Sequence, residues 1–148
     1  MSSKYRKDEV MELLERFVEA QNGSYAQALK EIKAGRKLTH WMWWIFPQYK
    51  GLGVSDVSKY YAIQSRAEAK AYWEHPILGK RLRECMSALL DLKTNDAVAV
   101  FGEIDAQKLK SSMTLFYYHG GQTMCGEVLG KFFSGEFDWA TESLLLKE

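Results

Sequence analysis

The sequence predicts an all-α, or very nearly all-α, fold: a single-domain multihelical bundle of about seven or eight helices. Three observations carry that expectation. Apolar residues recur at helical spacing through most of the chain. Ser, Thr, Asp and Gly stand where helices start and stop. No strand–helix alternation appears, and no internal repeat of roughly 20–50 residues. The 148 residues fit one domain, and a chain of that size buries about 68–70% of its unfolded surface.

Residues 1–7 read as a flexible N-terminal tail. Val10, Leu13, Leu14, Phe17 and Val18 then mark an amphipathic helix from about Asp8 to Gln21, stopped by Asn22-Gly23. Ser24-Tyr25-Ala26-Gln27 has the pattern of a capping box. It opens a second helix that turns Tyr25, Ala28, Leu29 and Ile32 inward and stops at Gly35. The short connection favours antiparallel packing of the two. Thr39 is a candidate cap for a short aromatic helix ending before Pro47, with a β-strand as the competing reading. Gly51-Leu52-Gly53 reads as a turn, and Ser58 to Ile63 fits a helical turn or a short extended piece.

Ser65-Arg66-Ala67-Glu68 is a second capping box, opening a helix through about Glu74. Pro76 suits the first turn of the next, which carries Ile77, Leu78, Leu82, Cys85, Met86, Leu89 and Leu90. Thr94 is placed to cap a short helix that ends at Phe101-Gly102. Asp105 opens a longer one, with Leu109, Met113 and Phe116 on one stripe, broken by Gly120-Gly121. Met124, Val128, Leu129, Phe132 and Phe133 define another helix, and Asp138 caps a terminal one.

Composition narrows the function classes. Net charge is +1, with 47% hydrophobic and 26% charged residues, an ordinary globular balance. Basic residues alternate with acids, as in Lys30-Glu31-Ile32-Lys33, so no nucleic-acid partner is indicated. The longest apolar run, Trp41 to Phe46, is far short of a membrane span. Cys85 and Cys125 lie in apolar helical patterns without metal-ligand spacing. No secretory leader is visible in the first nine residues. These features point to a reducing, cytoplasmic setting, with no metal, no cofactor and no membrane partner. His75 and His119 sit at helix ends, and no Gly-rich phosphate loop or nucleophile elbow is present.

Three groups of residues exceed what packing needs. His40 precedes Trp41, Trp43 and Trp44, and on a helix positions 40, 41 and 44 share a face. Aromatic walls stack on planar rings and His40 is the candidate acid or base; a core histidine bonded to a carbonyl is the plainer alternative. Lys108 neighbours Asp105, Ser111 and Ser112 on one helix. Lysine beside hydroxyls holds an anion, or simply pairs with Asp105 on a solvated face. Arg36-Lys37 is placed for a pocket mouth or to complement a helix dipole.

Taken together, the motifs Gly35-Arg36-Lys37, His40-Trp41-Met42-Trp43, Phe46-Pro47-Gln48 and Gly51-Leu52-Gly53 resemble those of the bacterial domain of unknown function 1810 family. So do His75-Pro76, Leu78-Gly79, Phe101-Gly102 and Lys108-Leu109 with Ser111-Ser112-Met113-Thr114. The likeness runs from about Leu13 to Leu145. It implies a mainly helical single domain and no established activity. Some members carry the name calpastatin, but such an inhibitor is an extended chain, unlike this periodic one. Tyr118 to Gly126 departs from the family pattern, and no functional role is carried over there.

The family motifs fall on the residues already singled out. The expectation is therefore one concave site formed by Arg36, His40, Trp41, Trp44, Gln48, Lys108, Ser111 and Ser112. Its expected ligand is a small, anionic, planar-ringed molecule of nucleotide or ADP-ribose type, with hydrolysis of a glycosidic or phosphate bond as the expected reaction class. The rival expectation is a protein–protein module that docks through the aromatic segment.

Overall fold

The structure, a computed structural model, describes residues 6–148. Among them run ten helices: α1 (Lys7–Asn22), α2 (Tyr25–Lys33), α3 (Met42–Ile45), α4 (Asp56–Tyr60), α5 (Arg66–Glu74), α6 (Leu78–Asp91), α7 (Ala97–Phe101), α8 (Glu103–His119), α9 (Gln122–Phe133) and α10 (Trp139–Leu146). No strand forms among the described residues; Tyr49 and Ile63 make one isolated parallel bridge. The count exceeds seven or eight because α3 and α4 span four and five residues, too few to show a period. Residues 1–5 of the expected tail lie outside the described residues, and Lys7 already belongs to α1.

Helix α8 is the hub, packed by α5, α7, α9 and α10, while α6 packs on α2, α5 and α9. Helix α2 rests mainly on α6, not on α1 as the short link suggests. Leu14, Phe17, Ile32, Trp41, Phe46, Tyr72, Leu82, Met86, Leu109 and Phe116 belong to one continuous buried cluster.

Capping chemistry decides several boundaries. Ser65 accepts from the Glu68 N–H at 3.0 Å, and Asp138 accepts from the Thr141 N–H at 2.9 Å, as N-caps do. Ser24 does not cap α2: its hydroxyl donates to Ala20 and accepts from the Trp44 indole at 2.7 Å. Asp96, not Thr94, caps α7 through Val98 and Ala99. Thr39 caps nothing; its hydroxyl donates to Glu31 at 2.6 Å. Pro76 precedes α6; the N–H of Ile77, just ahead of the helix, and that of Leu78, its first residue, donate to His75 Nδ1 at 3.1 and 3.2 Å. Helix α2 ends as the glycine implies: Gly35 takes φ +76° while Gly35 and Arg36 return bonds to Ile32 and Glu31.

Two buried carboxylates position the loops around the candidate site. Glu68 is fully buried and accepts from Arg16 Nη1 at 2.6 Å and Nη2 at 3.2 Å. The same guanidinium donates to the carbonyls of Tyr60 and Ala62, both at 2.7 Å, and so pins the chain between α4 and α5. Glu31 is 2% exposed. It accepts from the N–H groups of Leu38 and Thr39, the Thr39 hydroxyl, the Gln27 amide and the Trp41 indole. Burial pushes its pKa up, but these donors outweigh that and hold it well below the ordinary carboxylate range.

Candidate functional site

The aromatic segment is too short and too twisted to keep its residues on one face. Helix α3 begins at Met42, so His40 and Trp41 precede it. Trp41 is 1% exposed in the core, its ring 6.3 Å from those of Phe46 and Phe101. Trp44 turns toward Ser24 and packs against Tyr61, ring centroids 5.1 Å apart and tilted by 51°. Neither lines the cavities described next. Trp43, between them in sequence, is the indole that does.

Two cavities meet at Trp43, Gln48 and Leu52. The larger, about 420 Å³, is walled by α8 and the start of α10: Ile104, Gln107, Lys108, Ser111, Asp138 and Ala140. The smaller, about 190 Å³, is formed by Gly51–Gly53 with Ser58, Lys59, Tyr61 and Gln64. Gly53 cannot carry a side chain here, since a Cβ would lie 2.5 Å from Ser58. The turn and α4 therefore close tightly on one another.

Gln48 stands in the shared wall. Its backbone carbonyl accepts from Ile63 at 2.8 Å beside the Tyr49–Ile63 bridge, which fixes its direction. The residue is 8% exposed, yet its side-chain amide bonds to no described residue. The amide is not sealed off from solvent: its donor and acceptor face the cavity space and are open to a ligand or to water.

Lys108 reaches the same place from α8. Its ammonium lies 4.0 Å from the Trp43 ring centroid and 3.0 Å from Asp105 Oδ1. The other Asp105 oxygen pairs with Lys37 at 2.9 Å. Burial would raise the Asp105 pKa; the hydrogen bonds and charges of Lys37 and Lys108 outweigh it and hold the carboxyl below its ordinary value. One carboxylate is thus shared by two ammonium groups, leaving an excess of positive charge. Three lysines, Lys50, Lys59 and Lys108, border the two cavities against one carboxylate, Asp138. That carboxylate is already engaged by Gln107, the Thr141 N–H and the Thr141 hydroxyl.

Of the residues expected to converge, Gln48, Lys108 and Ser111 do. Ser111 is buried, and its hydroxyl donates to the Gln107 carbonyl. Ser112 faces the core, fully buried, with no partner among the described residues. Arg36 and His40 are exposed and border neither cavity. The basic pair contributes through Lys37 instead. Trp43 and Asp138 were not singled out as site residues. Trp43 was hidden because α3 is four residues long, and Asp138 reads as a cap and nothing more. Among the described residues no group of three or more His, Cys, Asp or Glu could hold a metal ion. No helix among them is long and apolar enough to cross a membrane.

These features define an all-α protein with a lysine-bearing, aromatic-walled cleft. Residues 11–145 match the family described as protein of unknown function (DUF1810), and the chain belongs to that family. It is also similar to a solved structure, the conserved hypothetical protein Rv1873 from Mycobacterium tuberculosis. The two are 41% identical with a TM-score of 0.87, over 90% of this chain and 96% of the other. A search of curated proteins gives no match.

Proposed function

We propose that the cleft at Trp43, Gln48 and Lys108 binds a small, anionic, planar-ringed ligand of nucleotide type. The observation that carries this reading is Gln48: a largely covered residue in the wall shared by both cavities, whose amide bonds to no described residue and is open to the cavity space. The indole of Trp43 supplies a stacking wall. The lysine excess favours an anion, and Ser111 and Gln107 add polar groups. The reading is one of binding. His40 is exposed and outside the cleft, which supports no acid–base role there. Two buried, unpaired cysteines fit a reducing cytoplasmic setting.

A thermal-shift series with mononucleotides, dinucleotides, ADP-ribose and sugar phosphates tests it. A ligand at about 100 times its Kd adds about 2.7 kcal/mol, which is roughly 5–10 °C for a chain of this size. The shift should vanish in Trp43→Ala and Lys108→Ala and persist in His40→Ala. No shift with any compound refutes the reading.

A different surface favours a second reading, an interaction module. Trp139 is 78% exposed and Leu146 84%, and both border one cavity with Tyr118. The aromatic segment first considered for docking is largely interior. Concentration-dependent sedimentation abolished by Trp139→Lys supports self-association at α10; a monomer at every concentration removes it.

A further inference from the structure

Resting on the nucleotide reading above, we infer that the ring the cleft selects is a single six-membered heteroaromatic ring with an amide-type edge, carried on a ribose phosphate. Uracil, cytosine and nicotinamide share that chemistry: an adjacent hydrogen-bond donor and acceptor on one small ring.

The two cavities divide the ligand between them. In the larger one, the Lys108 ammonium already covers the Trp43 ring at 4.0 Å, so that side offers charge, together with the Gln107 amide, which has one N–H engaged by Asp138 and a second to offer. The smaller one offers the walls for a ring: Trp43, Tyr61 and the backbone of Gly51–Gly53. Its volume of about 190 Å³ compares with the roughly 150 Å³ cavity that takes benzene. One six-membered ring with a small substituent fits. A purine has the same kind of edge but too much bulk.

Two glutamines define the edge that is read. Gln48 presents a carbonyl and an NH₂ side by side, both without partners among the described residues. An amide in that state pairs with an adjacent donor and acceptor, the logic by which glutamine reads a base edge. Gln64 donates its NH₂ to the Ala62 carbonyl at 2.9 Å, and its carbonyl oxygen remains as a further acceptor. Gln64 is held in turn by its N–H bond to the buried Glu68 at 2.7 Å. Gln48 is therefore the residue that sets ring specificity, and Lys108 the residue that sets phosphate affinity.

Isothermal titration with UMP, CMP, nicotinamide mononucleotide, AMP, GMP and ribose 5-phosphate tests this on the full chain and on Gln48→Leu and Gln48→Glu. At least one single-ring nucleotide should bind at least about tenfold tighter than AMP or GMP, and which one does identifies the source. Gln48→Leu should weaken that ligand roughly 10–100-fold and weaken ribose 5-phosphate far less. Its melting temperature should stay close to that of the parent chain, because the Gln48 amide makes no hydrogen bond to a described residue that the change would break. Gln48→Glu keeps the shape but cannot donate, and should lose affinity as well. Purines binding as tightly, or Gln48→Leu and Gln48→Glu both binding like the parent, overturn the ring assignment while nucleotide binding stands. No binding of any of the six overturns both.

Discussion

Removing Glu31 should unseat the loop that precedes the cleft. Five hydrogen bonds converge on this carboxylate: 2.7 Å from the Leu38 N–H, 2.9 and 2.6 Å from the Thr39 N–H and hydroxyl, 2.8 Å from Gln27 and 3.0 Å from the Trp41 indole. A bond to a charged acceptor contributes about 1.5–3 kcal/mol and a neutral one about 0.5–1.5. Glu31→Gln keeps the shape and most of the bonds but loses the charge, at about 2–3 kcal/mol after rehydration of the exposed loop. Glu31→Ala also strands the Trp41 indole N–H in the core and opens space, raising the cost to about 4–5 kcal/mol. That is a large share of a domain's total of about 5–15 kcal/mol. Urea unfolding followed by tryptophan emission and circular dichroism measures both variants. The sign with pH follows from the depressed pKa: the contribution is full above about pH 4.3, the unfolded carboxyl value, and is lost as pH falls toward the folded one. An alanine variant within about 1 kcal/mol of the parent, or equal costs for the two substitutions, refutes this account.

Gly79→Ala should destabilise by about 1–3 kcal/mol although alanine is the better helix former, because a Cβ would sit 1.9 Å from the Trp73 carbonyl oxygen. Gly130→Ala, with nothing within 4 Å, should instead stabilise by up to about 1 kcal/mol; chemical denaturation of the pair reads both signs. Arg16→Met alone should cost about 3–5 kcal/mol by stranding Glu68, and Arg16→Met with Glu68→Leu should cost far less than the two single changes added. A double-mutant cycle that comes out additive contradicts the buried pairing. His75 accepts two N–H bonds on Nδ1, and burial holds its pKa below 6.5. Its contribution should be full above about pH 6.5 and decline as pH falls toward the folded value. His75→Ala should lose about 1 kcal/mol at neutral pH and flatten that slope in thermal melts.

Much of the helical frame is readable from residue spacing. Val10, Leu14 and Phe17 mark α1, Leu82, Cys85 and Leu89 mark α6, and all six are buried. Ser65 and Asp138 are visible as caps because their bonds are local. Long-range competition hides the rest. Ser24 has the right neighbours for a cap, yet the indole of Trp44, twenty positions away, takes its oxygen. Glu31 looks like one more charge on a solvated face, and only the returning loop turns it into a hub. At the cleft, Gln48 could be named because it closes the aromatic segment with a polar residue, and Lys108 and Ser111 because helical spacing sets a lysine beside a hydroxyl. Choosing Trp43 over Trp41 and Trp44 required knowing that α3 starts at Met42, which no periodicity in four residues reveals.

The packing around Trp73 has a consequence for how this chain can change over time. A side chain at Gly121 would lie 2.0 Å from the indole, one at Gly120 3.0 Å from it, and one at Gly79 1.9 Å from the Trp73 backbone oxygen. The three positions are therefore not equivalent in descent. A lineage that first shrinks residue 73 lifts the bar at 121, and that site can then drift, while position 120 still meets the Phe116 backbone oxygen at 3.1 Å. Position 79 stays closed in every such lineage, because the atom it meets belongs to the main chain. Substitutions at 73 and 121 should appear in a fixed order, the tryptophan yielding first.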